Sequence, residues 1–203
     1  MAKIAIIDYG LGNLRSVKKA IEKTTAKTEI TDNNEKIRKA DGIIIPGVGA
    51  FEDGIKNLSK YREEIYRAFE NDKPVLGICL GMQLTLTKGY EGNKELKGLD
   101  IIQGEVISLP TQKKVPHIGW NSIKLTQNHP LLKGIGNGDY FYFVHSYYTN
   151  TASERDVLAE CRYGINFPAV ISRKNYVGVQ FHPEKSGKKG IQLLKNFVEY
   201  CKS

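Results

Sequence analysis

Residues 75–83 read Val-Leu-Gly-Ile-Cys-Leu-Gly-Met-Gln, an apolar strand running into a helix with Cys79 at the junction and a glycine two residues to either side. A side chain held at the tip of a sharp strand-to-helix turn needs such glycines, because neighbouring Cβ atoms would crowd the turn. Gly77 and Gly81 leave that room, so the segment is predicted to be a nucleophile elbow carrying sulfur. The helix that follows would aim free N–H groups and its positive end at the sulfur, favouring thiolate over thiol. Most cysteines in apolar strands are simply small buried hydrophobes. A second stretch shifts the balance here.

Residues 176–184, Tyr-Val-Gly-Val-Gln-Phe-His-Pro-Glu, form an apolar run that delivers His182 and Glu184 two residues apart. Positions i and i+2 of an extended segment share a face. A free thiol has a pKa of about 8.5, so a nearby imidazole is needed to take its proton and later protonate a leaving amine. Glu184 would hold that imidazole in the working tautomer. Alone, this stretch reads as a strand ending at a His-Pro turn; beside Cys79 it reads as the rest of a Cys-His-Glu catalytic set.

The remaining sequence predicts an α/β fold: a doubly wound, flavodoxin-like mixed sheet with a parallel N-terminal half and antiparallel C-terminal additions. Residues 3–8, 27–31, 42–46 and 73–78 are short apolar strands, with helices over 13–23 and 61–71, in the β-α-β rhythm of a parallel sheet covered on both faces. Beyond residue 100, strand-like pieces at 103–109, 122–126, 140–149, 157–163, 169–173 and 176–181 alternate with turn signals and should be largely antiparallel. An amphipathic helix over 190–201 closes the chain. With 203 residues and 40% hydrophobic content, one domain spanning 1–203 is expected.

The net charge of +8 invites a nucleic-acid reading, but the lysines are dispersed in pairs such as Lys18-Lys19, Lys113-Lys114 and Lys188-Lys189. A solvated basic surface is the better reading. The three cysteines, Cys79, Cys161 and Cys201, have neither disulfide-framework nor zinc spacing, so a reducing cytoplasm is expected, with no metal. Neither a signal peptide nor a membrane span is read in the sequence. Asp8-Tyr9-Gly10-Leu11-Gly12-Asn13 places Arg15 where a dinucleotide fingerprint needs its third glycine, which argues against a nicotinamide site. Pro46-Gly47-Val48-Gly49-Ala50 follows the third strand, where loops gather at the strand ends of an open sheet. The Val48-Gly49 peptide and the Leu80 N–H are the natural pair of donors for a tetrahedral oxyanion. The only tryptophan, Trp120, lies in Pro116-His117-Ile118-Gly119-Trp120-Asn121 and is either core packing or an exposed anchor.

The Cys79 elbow and Phe181-His182-Pro183-Glu184 together closely resemble the class I glutamine amidotransferases. Residues 7–13, 46–51, 116–121, 142–147 and 184–186 narrow the resemblance to the branch of glutaminase subunits of imidazole glycerol phosphate synthase. It runs from residue 3 to the C-terminal helix. This resemblance implies a glutaminase without cofactor, docked on a separate (β/α)8-barrel cyclase subunit to which it sends ammonia for histidine biosynthesis. By the same resemblance, Cys79, His182 and Glu184 are catalytic, and Val48, Gly49 and Leu80 form the oxyanion hole through a peptide flip at Val48. Gln83, His145, Ser146, Tyr147 and Glu91 bind glutamine, Glu91 by receiving the α-amino group of the glutamine. Asn13, Trp120, Asn121, Tyr142 and Lys185 form the partner interface and gate. The isolated chain is expected to have little glutaminase activity. Rival readings are a paralogous glutaminase serving a surface-sugar amidating synthase, another cysteine hydrolase or chaperone-like protein on a flavodoxin-like sheet, and a catalytically silent subunit kept for binding.

Overall fold

A computed structural model describes residues 1–110 and 112–202. The N-terminal half alternates strand and helix: β1 (Lys3–Ile7), α1 (Leu14–Ile21), β2 (Lys27–Thr31), α2 (Asn34–Lys39), β3 (Gly42–Gly47), α3 (Phe51–Leu58), α4 (Arg62–Glu70), β4 (Val75–Cys79) and α5 (Leu80–Gln83). Strands then dominate: β5 (Leu86–Glu91), β6 (Lys94–Lys97), β7 (Ile102–Ser108), β8 (His117–Leu125), β9 (Tyr140–His145), β10 (Tyr147–Thr151), β11 (Val157–Tyr163), β12 (Ile165–Arg173) and β13 (Tyr176–Val179), closed by α6 (Gly187–Tyr200).

Nine strands form one sheet in the order β2-β1-β3-β4-β13-β12-β11-β8-β9, and β10-β7-β5-β6 form a second. The pairs from β2 to β13 are parallel, and those from β13 to β9 antiparallel. The continuous apolar runs have a two-sided cause. In β1, Ile4 and Ile6 enter one core with Val17 and Ile21 of α1 and Leu194 and Phe197 of α6. Ala5 and Ile7 enter the other with Ile37 of α2, Ile65 of α4 and the second sheet's Leu86, Ile102 and Val106. Alternate side chains of a strand face opposite ways, so a strand buried on both faces carries no polar position. Truncating one of these, such as the fully buried Ile44, to alanine removes about 2–5 kcal/mol.

Four features differ from the sequence-based expectation. Residues 140–149 are two strands broken at Ser146, where the chain leaves the large sheet for the small one and Leu109 N–H binds the Ser146 carbonyl at 3.0 Å. The helix after Cys79 is a single turn, so its electrostatic influence comes from first-turn N–H groups rather than a long dipole. The α2 and α3 helices were not anticipated: α2 buries only Ile37, too little to set a period, and it is held by the Asn33 side chain accepting the Lys36 N–H at 3.1 Å. The charged β5–β6 hairpin also escaped, since its support is cross-strand, including a Lys88–Glu95 pair at 2.9 Å.

The last strand carries the most weight for the site. Although β13 comes from the largely antiparallel half, it lies parallel to β4, with Val177 beside Leu76, Gly178 beside Gly77 and Val179 beside Ile78. Both strands therefore emerge at the same edge and level, one ending at Cys79 and the other continuing to His182.

Candidate active site

Cys79 adopts φ 54° and ψ −108°, a conformation rare for a residue with a side chain. Such strain costs about 1–3 kcal/mol and persists only where the surroundings over-determine it. They do so here by close packing of backbone on backbone. A Cβ on Gly81 would run into the Ile45 carbonyl oxygen, and one on Gly77 would come within 2.7 Å of the Gly81 carbonyl oxygen. The two glycines flanking the elbow are thus required by contact with β3 and with the turn itself.

The β13 register sets Gln180 next to Cys79. Its Nε2 donates to the Cys79 sulfur at 3.6 Å, while its Oε1 accepts from Gln83 Nε2 at 3.0 Å. Gln83 Nε2 also donates to the Tyr147 carbonyl at 2.9 Å, so both its amide protons are engaged and only its Oε1 is left to receive a ligand. On the far side, the thiol donates to the Val144 carbonyl oxygen of β9 at 3.8 Å. Gln180 was missed in the sequence, although it stands two residues before His182 and hence on the same face.

His182 and Glu184 are joined at 2.8 Å through Nδ1 and Oε1, with both side chains buried. The His182 backbone is clipped to β9 through its N–H on the Tyr142 carbonyl at 2.9 Å. Ser186 Oγ reinforces the clip by donating to the His182 carbonyl at 2.6 Å and accepting the Tyr142 N–H at 3.0 Å. Burial disfavours a charged His182 imidazole, but hydrogen bonding and charge from Cys79 and Glu184 outweigh it and push the group up to about 10. The arrangement therefore favours a proton on His182. A protonated imidazole beside a sulfur is the setting in which a cysteine works as a nucleophile. Tyr9 lies close by: its buried hydroxyl has no hydrogen-bond partner among the described residues, and burial together with the Cys79 charge holds it well above the ordinary tyrosine range.

The other expected residues fall in three groups around this centre. Leu80 opens α5, so its N–H has no partner within the helix. Val48 and Gly49 are exposed, and Gly49 has φ 105°, a left-handed conformation that favours glycine, with open space where a Cβ would stand. Glu91 lies beside this loop, its two oxygens accepting the Phe51 and Glu52 N–H groups of α3 at 2.9 and 3.0 Å. His145, Ser146 and Tyr147 form the bend between the two sheets, and Gln83 meets them at the Tyr147 carbonyl. Trp120 is 55% exposed, which excludes the core-packing reading; it packs edge-on to Tyr142, over whose ring Lys185 Nζ stands at 5.7 Å. Asn13, at the start of α1, is exposed without a side-chain capping bond. Asn121 is half-buried and donates to the Arg162 carbonyl at 3.0 Å.

Residues 5–201 match the family described as glutamine amidotransferase class-I. The chain is 52% identical over 204 residues to imidazole glycerol phosphate synthase subunit HisH of Methanosarcina acetivorans, covering 99% of this chain and 100% of the relative. It is 51% identical over 201 residues to the HisH subunit of Caldanaerobacter subterraneus, covering 98% of each. Among solved structures, a chain of PurLQS from Thermotoga maritima superposes with a TM-score of 0.80 at 18% identity, covering 98% of this chain and 99% of that one, a likeness of fold. The family match and the half-identical relatives show that the chain belongs to the class-I glutamine amidotransferase family, in the branch of the HisH subunits, and the mixed sheet has that family's fold.

Proposed function

We propose that the chain is the glutaminase subunit of an imidazole glycerol phosphate synthase, acting as one domain over residues 1–203 in the cytoplasm and passing ammonia to a separate (β/α)8-barrel cyclase subunit. Neither nucleic acid, membrane nor cofactor enters the reaction. The observation that carries the chemistry is the buried His182–Glu184 pair at 2.8 Å, with the imidazole raised by the adjacent Cys79. The family match and half-identical relatives support the choice of substrate and partner.

In this reading the Cys79 thiolate attacks the carboxamide carbon of glutamine, and the developing oxyanion is met by the Leu80 N–H and the Val48–Gly49 peptide N–H. Collapse breaks the C–N bond, His182 gives its proton to the departing nitrogen, and ammonia leaves a γ-glutamyl thioester. Water, deprotonated by His182, then cleaves the thioester to glutamate and restores the thiolate. Glu184 keeps the imidazole in register throughout. Gln83, Glu91 and the His145–Ser146–Tyr147 bend hold the glutamine. Asn13, Trp120, Asn121, Tyr142 and Lys185 meet the cyclase and gate the passage of ammonia. The exposed Trp120, packed edge-on to a half-buried Tyr142 that is one backbone hydrogen bond from His182, supports that placement.

The test is glutamate release by the chain alone and with a cyclase subunit carrying its phosphoribosyl ligand. Strong stimulation by the loaded partner is expected, with loss of about 10⁴-fold or more in Cys79→Ala. Full activity of the isolated chain would rule out partner-dependent completion of the oxyanion hole.

A further inference from the structure

His117 and His145 take no proton-transfer part in this chemistry, yet both are buried and bonded to each other. His117 opens β8, His145 closes β9, and the ladder sets them opposite one another. Nδ1 of His117 lies 3.0 Å from Nε2 of His145, and Nδ1 of His145 lies 2.8 Å from the Tyr147 carbonyl oxygen. At the other end, Nδ2 of Asn121 lies 3.4 Å from Nε2 of His117 and 3.0 Å from the Arg162 carbonyl oxygen. The His117 ring is held flat between Tyr163 and Phe143, at centroid distances of 4.0 and 5.1 Å.

The ends of this chain dictate every proton in it, because both are carbonyl oxygens and can only accept. His145 must donate from Nδ1 to Tyr147, so its neutral ring accepts at Nε2. His117 then donates from Nδ1 and accepts at Nε2 from the Asn121 amide. That amide cannot turn round, since its Oδ1 accepts the Ser122 N–H at 2.9 Å. An added proton on either ring would set N–H against N–H. Burial, with Lys113 facing His117 and with His117 and His182 facing His145, pushes both rings down to about 4 despite the Tyr147 hydrogen bond. The Tyr147 carbonyl that receives this relay also accepts from Gln83, so both its lone-pair directions are used and the bend after Ser146 has one orientation.

We propose that His117 is a positioning residue of the glutamine site, holding the Ser146–Tyr147 bend in its binding orientation through the ring of His145. The inference rests on the reading that this bend binds glutamine. It also gives the Asn121 end of the relay, next to the exposed Trp120, a direct physical connection to the pocket.

Two measurements test it. Nitrogen-15 spectra of the histidine-labelled chain should find both rings neutral in the Nδ1–H form, with scalar coupling between Nδ1 of His117 and Nε2 of His145. In complex with the cyclase, His117→Phe keeps the stacked ring but deletes the relay, and should raise KM for glutamine about tenfold while kcat stays within about twofold. His117→Asn, whose Nδ2 stands near the lost Nδ1, should recover most of that loss. A relay in the opposite tautomer, an absent coupling, or an unchanged KM in a folded His117→Phe would each overturn the proposal. No glutamate release by the wild-type complex would instead strike at the glutaminase reading itself, on which the ring coupling does not depend.

Discussion

His182 and the His117–His145 pair occupy neighbouring regions, and burial acts on all three in the same direction, yet their protons end in opposite places. At the β13 exit the imidazole meets a carboxylate at 2.8 Å and a nearby thiol, and is raised to about 10. At the β8–β9 ladder end each ring hydrogen-bonds only to a neutral imidazole and carbonyl or amide groups, faces the positive charge of Lys113 or His182, and is lowered to about 4. Desolvation alone therefore does not assign a buried histidine its role; the charge of its partners does. One setting favours a proton, whereas the other excludes one.

The sharpest way to break the contrast is Glu184→Gln, which removes the charge but preserves size. Glutamate release by the partner-bound enzyme should fall about 10³–10⁴-fold, by analogy with neutralising the acid of a serine-protease triad. In the isolated chain, the His182 titration followed by NMR should move down toward the other two. An unchanged titration would mean that Cys79 alone sets the proton.

Gln180→Leu sharpens the sulfur side, deleting the 3.6 Å donor to Cys79 and leaving Gln83 without its 3.0 Å acceptor. Alkylation of Cys79 by iodoacetamide should slow about tenfold, in line with one lost hydrogen bond to a charged group. Equal rates would reduce Gln180 to packing.

The two regions should also limit stability from opposite sides of neutrality. A histidine raised above its unfolded value of about 6.5 stabilises fully below that pH, and its contribution is lost as pH rises through about 10. The lowered pair contributes above about 6.5 and loses that contribution as pH falls toward about 4. Each proton adds a slope of at most about 1.4 kcal/mol per pH unit. Denaturant melts across pH should find the alkaline limb flattened by His182→Asn and the acid limb flattened by His117→Phe. If both variants alter the same limb, the contrast fails.

The smallest effect concerns Tyr9. Tyr9→Phe removes a buried hydroxyl that has no hydrogen-bond partner among the described residues, so stability should hold or rise by about 1 kcal/mol, read as the urea midpoint. A clear loss would reveal a partner formed in solution.

Much of the site was legible because its chemistry is local. The Gly77-Ile78-Cys79-Leu80-Gly81 elbow and the His182-Pro183-Glu184 spacing sit in short segments where residue type, turn sterics and strand period all act within a few positions. Trp120 was left open because exposure is a property of the whole surface. Gln180 and the role of His117 were illegible for another reason: each is defined by what another strand brings to it. Likewise α2 and the β5–β6 hairpin bury too little to impose a period, and the break at Ser146 interrupts a run with no glycine or proline to mark it.

The sequence by itself determined the alternating parallel core, the elbow that carries Cys79 at its tip and the pairing of His182 with Glu184, because backbone sterics and two-sided burial leave those segments few other conformations. Tertiary structure alone decided that β13 runs parallel beside β4, bringing His182 and Gln180 to the sulfur from about a hundred residues away. It alone decided, too, which buried histidines favour a proton and which exclude one, since that balance in a low-dielectric interior depends on partners that no single segment contains.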